Sequence, residues 1–134
     1  NMKRFILLAI ASSLSVLTMI GPTKADISDI EILFVRTDED GNLTLSKAEV
    51  LKMAIVQFNL VDSNKSGAVE PAEAGEFASD VEFTDNDTDR SGSLSLEEVI
   101  SEKLADYNRA DLNSDGRLSL DEVKQSYRKS QDTP

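Results

Sequence analysis

Asp111-Leu112-Asn113-Ser114-Asp115-Gly116-Arg117-Leu118-Ser119-Leu120-Asp121-Glu122 carries oxygen-bearing side chains at its first, third, fifth and ninth residues and closes on a Glu at the twelfth. Gly116 stands sixth, where the backbone must turn sharply, and Leu118, eighth, is its one buried-looking residue. A hard cation such as Ca²⁺ wants several oxygens at once. Alternate residues of a tight loop supply them from side chains, and a terminal Glu adds two more from the first turn of the next helix. A polar turn before a helix would need far fewer of these positions filled.

The same pattern recurs three more times towards the N-terminus. Its copies are 38–49 (DEDGNLTLSKAE), 62–73 (DSNKSGAVEPAE) and 87–98 (DTDRSGSLSLEE), and with 111–122 their starts lie 24, 25 and 24 residues apart. Four copies in register make chance an unreasonable account. The copies also agree outside the oxygens. An aromatic stands four residues before each loop (Phe34, Phe58, Phe83, Tyr107), and an aliphatic sits eighth (Leu45, Val69, Leu94, Leu118). The aromatic belongs on the inner face of the entering helix. The aliphatic suits a short strand that pairs with another loop.

Residues 1–25 read as a secretory signal peptide: Lys3 and Arg4 start it, an apolar run follows from Phe5 to Ile20, and Ala25 supplies the small residue at the cut. Cleavage before Asp26 would leave a periplasmic or secreted domain, 26–134; an uncleaved segment would anchor it to the inner membrane. Three of the 14 basic residues and none of the 25 acidic ones precede Asp26, so residues 26–134 carry a net charge of −14. Such a charge repels nucleic acid and anionic membrane surfaces and suits cations or basic peptides. With no Cys and no His there is no disulfide framework, no ordinary zinc site and no triad or His-based acid–base pair.

Loops of this kind with flanking helices resemble EF-hands, and the chain is similar to short, exported, calmodulin-like EF-hand proteins of bacteria. The resemblance covers about Ile27 to Ser130 and implies an all-α fold that binds Ca²⁺. Residue by residue, it implies side-chain ligands Asp38, Asp40, Asn42 and Glu49 in loop 1, with the Thr44 carbonyl. In loop 2 it implies Asp62, Asn64, Ser66 and Glu73 with the Ala68 carbonyl; in loop 3, Asp87, Asp89, Ser91 and Glu98 with the Ser93 carbonyl. In loop 4 it implies Asp111, Asn113, Asp115 and Glu122 with the Arg117 carbonyl. The ninth residues, Ser46, Glu70, Ser95 and Ser119, would act through water or, for Glu70, directly. Loop 1 departs from the family, with Leu43 sixth and Gly41 displaced to the fourth position. A Leu forced to positive φ costs on the order of 1 kcal/mol, so loop 1 is expected to bind most weakly and loop 4 most tightly.

Only 12, 13 and 12 residues separate successive loops, room for one three-turn helix each. The preferred arrangement shares each helix between two loops. The alternative bends each segment into two stubs, so that loops 1–2 and 3–4 lie side by side. Val50–Val61, apolar nearly all round, is expected to be the most buried helix, and Ala74–Asn86 another single one. Function is expected to be non-enzymatic: a calcium sensor or buffer, or else a calcium-braced structural or interaction module of the envelope. A glycosidase-like carboxylate pair is set aside because no acid pair is left over in an apolar pocket. Met53 is the only Met after residue 25, which argues against a broadly adaptable partner groove.

Overall fold

The computed structural model describes residues 27–75 and 80–131; the expected signal peptide lies outside them. Along the described chain run α1 (Ile27–Thr37), β1 (Thr44–Ser46), α2 (Lys47–Val61), β2 (Ala68–Val69), α3 (Pro71–Ala74), α4 (Asp80–Asn86), β3 (Leu94–Ser95), α5 (Leu96–Ala110), β4 (Arg117–Ser119) and α6 (Leu120–Gln131). The protein is mostly helical, with two small sheets added to the all-α expectation.

Local chemistry sets the helix ends. α2 and α5 begin at Ser46 and Ser95, each in a capping box with the Glu three residues on. Ser119 and Glu122 make the same bonds at the start of α6. The entering helices end where a loop's first Asp donates its amide to the carbonyl of the aromatic four residues back. These are Asp38 to Phe34 (2.9 Å), Asp62 to Phe58 (2.9 Å), Asp87 to Phe83 (3.0 Å) and Asp111 to Tyr107 (3.0 Å).

α2 and α5 are unbroken helices of 15 residues, each shared by two loops. The segment between loops 2 and 3 departs from the expected single helix. α3 stops at Ala74, and Gly75, at φ 44° and ψ −117°, turns the chain out of helical geometry. Four residues cannot hold a helix together by themselves, so α3 ends at this glycine.

This division decides which loops meet. A 15-residue helix is about 22 Å long, so α2 holds loops 1 and 2 apart and α5 does the same for loops 3 and 4. α2 packs on α5 more extensively than any other pair of helices. β1 pairs antiparallel with β4 (Leu45 opposite Leu118), and β2 with β3 (Val69 opposite Leu94). Loop 1 therefore sits beside loop 4 and loop 2 beside loop 3, against the side-by-side 1–2 and 3–4 alternative. Each pair has its own core. Phe34, Leu45, Val50, Tyr107, Ala110 and Leu118 form one, and Phe58, Val69, Ala74, Phe83, Leu94 and Val99 the other. Lys124 of α6 closes the first end on Glu31 of α1 at 2.5 Å.

The expectation that α2 is the most buried helix is not met. Val50, Ala54 and Phe58 point inward at spacings of four, whereas Val56 and Leu60 are 53% and 70% exposed. α5 is buried further round, through Glu98, Val99, Glu102, Lys103, Asp106, Tyr107 and Ala110. Composition measured how apolar α2 is, but not how many neighbours the topology supplies to cover it.

Candidate metal centre

One hydrogen-bond network recurs in all four loops. The first Asp accepts the amides of the fifth and sixth residues through its two oxygens. Asp38 takes Asn42 (3.1 Å) and Leu43 (2.8 Å), and Asp62 takes Ser66 and Gly67 (both 3.0 Å). Asp87 takes Ser91 (2.9 Å) and Gly92 (2.8 Å), and Asp111 takes Asp115 (3.1 Å) and Gly116 (2.9 Å). The third residue's oxygen accepts the fifth amide as well, in Asp40, Asn64, Asp89 and Asn113. The oxygen of the fifth residue, Asn42, Ser66, Ser91 or Asp115, accepts the seventh amide. These bonds turn the side-chain oxygens of positions one, three and five toward the inside of each loop.

The twelfth Glu clasps the loop's two ends. Glu49 accepts from the Glu39 amide (2.9 Å) with one oxygen and from the Ser46 amide and hydroxyl (both 2.7 Å) with the other. Glu122 does the same with Leu112 (3.0 Å), Asn113 (3.3 Å) and Ser119. Burial opposes ionisation of Glu98, but the Ser95 amide and hydroxyl, the Thr88 hydroxyl and the Asp89 amide outweigh it and bring its carboxyl down to about 2. The Ser46 amide lowers Glu49 and the Ser119 amide lowers Glu122 in the same direction. These three carboxylates are ionised at neutral pH.

Two expectations change. The Ser46, Ser95 and Ser119 hydroxyls are held by protein partners at the helix starts. Each hydroxyl donates to the closing Glu and accepts the amide at helix position N3. Glu70, the acidic ninth residue, does turn inward, accepting from Asn64 Nδ2 (3.1 Å) and Ser66 Oγ (3.0 Å). The second correction concerns strain. Left-handed residues stand at both the fourth and sixth positions of every loop: Gly41 and Leu43, Lys65 and Gly67, Arg90 and Gly92, Ser114 and Gly116. Every loop thus has one glycine and one side chain for two left-handed places. Loop 1 only exchanges them, and Leu43, at φ 64°, lies in the ordinary left-handed well. Its displaced glycine is no special handicap.

In loops 1 and 3 three carboxylates, Asp38/Asp40/Glu49 and Asp87/Asp89/Glu98, each place an oxygen within 4.8 Å of the others. Among the described residues no other acidic triplet meets that spacing, so loop 4 does not stand out geometrically as its sequence does. The donors are all oxygens, and they are carboxylate-rich. That set fits a hard divalent cation and not a soft one. Three sequence-silent contributions emerge. The Ser63 and Thr88 hydroxyls, second in their loops, donate to Glu73 (2.9 Å) and Glu98 (3.0 Å). The third is the Tyr107 hydroxyl, buried to 1% exposure and 2.8 Å from the carbonyls of both Leu45 and Gly116. Burial, then the Asp111 charge, pushes that hydroxyl up to about 12, so it stays a donor.

The geometry is that of oxygen-lined loops set between helices, with acidic clusters that could hold an ion in loops 1 and 3. Residues 106–125, which contain loop 4 and the turns around it, match the EF hand family. The match supports placing this segment in the EF-hand superfamily, with calcium as its ligand. No curated protein matches the chain. Among the described residues no helix is long and apolar enough to cross a membrane.

Proposed function

We propose that the protein binds calcium ions in four EF-hand loops and acts, after export, as a non-enzymatic calcium sensor or buffer. The observation that carries this reading is the recurrence, in all four loops, of the network just described. Loops 1–3 share the bonds of the family-matched loop 4 although only 106–125 matches by sequence. The residues that would hold the ions are the first, third, fifth and twelfth of each loop, the seventh carbonyls and, in loop 2, Glu70. Bound calcium would supply two positive charges to each cluster of mutually repelling carboxylates. The protein's part is to orient those oxygens with backbone amides and to keep the closing Glu ionised. Export rests on the basic start, apolar run and small-residue end of 1–25.

Calorimetric titration of residues 26–134 with Ca²⁺ tests the reading. Four sites are expected, and Glu→Gln at 49, 73, 98 or 122 should each remove one. A total of one site in the parent protein, abolished by Glu122→Gln, would overturn the four-loop reading, and no heat at all would overturn calcium binding. Expression in a bacterium, fractionation and N-terminal sequencing test export, with Asp26 expected as the first residue. An apolar-surface dye that brightens with calcium marks a sensor; an unchanged signal marks a buffer.

A further inference from the structure

Tyr107 differs from its three counterparts. Phe34, Phe58 and Phe83 fill the same place four residues before their loops, but only Tyr107 carries a hydroxyl. That hydroxyl reaches across the sheet between loops 1 and 4, lying 2.8 Å from the Leu45 carbonyl in β1 and 2.8 Å from the Gly116 carbonyl in loop 4. Leu45 follows Thr44, and Gly116 precedes Arg117. The two pinned carbonyls therefore flank the seventh-position carbonyls on which the calcium reading relies. At the same place Arg117 Nη1 donates to Thr44 Oγ1 (3.0 Å), joining the two seventh residues directly. Loops 2 and 3 carry Ala68 and Ser93 there, Phe58 and Phe83 as aromatics, and a sheet of two residues per strand instead of three.

We infer that Tyr107 is a positioning residue that couples the ion sites of loops 1 and 4, so that ordering either loop preorganises the other. This rests on the calcium reading of those loops. One hydroxyl proton shared by two carbonyls holds both peptide planes at once. Movement of either loop alone breaks a hydrogen bond of the buried Tyr107 hydroxyl. The inner pair, having only ring contacts at this place, lacks the tie. One protein thus holds a tied pair and an untied pair.

Each loop has its own glycine (Gly41, Gly67, Gly92, Gly116), so ¹⁵N-glycine labelling gives one reporter per loop during a Ca²⁺ titration. Tyr107→Phe keeps the ring and installs the residue of the other three repeats, so folding is retained. Gly41 and Gly116 are expected to respond at about tenfold higher calcium, the loss corresponding to one buried hydrogen bond, with Gly67 and Gly92 unmoved. Glu122→Gln, which disables loop 4, should weaken the Gly41 response in the parent protein and have no further effect on it in Tyr107→Phe. Unchanged titrations at all four glycines overturn the inference. So does an equal weakening of all four, which a merely structural role would produce, and so does a loss at Gly116 alone. If Gly41 and Gly116 of the parent protein ignore calcium, the calcium reading of these loops falls with it. If they respond and Tyr107→Phe changes nothing, only the coupling falls.

Discussion

Leu43 is the residue at which position in the motif and backbone geometry disagree. A side chain in the left-handed well costs about 1–2 kcal/mol, yet Lys65, Arg90 and Ser114 carry the same burden at φ 58–59° at the fourth position of the other three loops. Leu43 is 72% exposed, so replacing it removes no core contact. Leu43→Gly and Lys65→Gly should therefore stabilise the ion-free protein by similar amounts. Each gain should be at most about 1 kcal/mol once glycine's extra freedom in the unfolded chain is subtracted. Urea unfolding in chelator measures this, and a gain for Leu43→Gly well above that of Lys65→Gly would restore loop 1 as the strained one. The oxygen-bearing positions of the loops were legible in the sequence because they are set by spacing. The fourth position was not, since Lys, Arg and Ser give no sign of positive φ.

At the scale of elements, the break at Gly75 and the uneven faces of α2 matter most. Gly75 has φ 44° and ψ −117°, a region open essentially to glycine, and a Cβ there would meet nothing within 4 Å. Gly75→Ala should then destabilise through backbone strain alone, by about 1–3 kcal/mol, seen as a lower melting temperature without calcium. A change below about 0.5 kcal/mol would mean that the turn is not held in this conformation. On α2, Phe58 is buried and Leu60 is not. Phe58→Ala should cost about 3–5 kcal/mol and Leu60→Lys less than about 0.5, compared by denaturant titration. Equal costs would show that Leu60 is covered. Helix ends were legible on one side: the helix expected over Val50–Val61 does stop at Val61, before the first Asp of loop 2, but it starts three residues early, at Lys47, because the Ser46–Glu49 box lies inside loop 1.

For the whole molecule, three carboxylates converge in each of loops 1 and 3, on a chain whose residues 26–134 have a net charge of −14. Ions that bind the folded state alone stabilise it by about 2.7 kcal/mol per site at one hundred times the dissociation constant. Melting should therefore rise steeply between chelator and millimolar Ca²⁺, followed by circular dichroism at one protein concentration. Coincident curves would remove calcium from the account of this fold. The linkage also spreads through the molecule. α2 carries Glu49 at one end and leads into Asp62 at the other, α5 does so for Glu98 and Asp111, and the two sheets join the remaining neighbours.

The sequence by itself determined the twelve-residue loops, their oxygen-bearing positions and the two unbroken helices α2 and α5, because each follows from contacts within a few residues. Tertiary structure alone decided the partners: loop 1 with loop 4 and loop 2 with loop 3, the division of the core between two ends, and the exposed face of α2. Those follow from two rigid shared helices lying against each other and from one glycine turn between them. No local pattern encodes how far apart a helix will hold its two ends, or what will lie beside it.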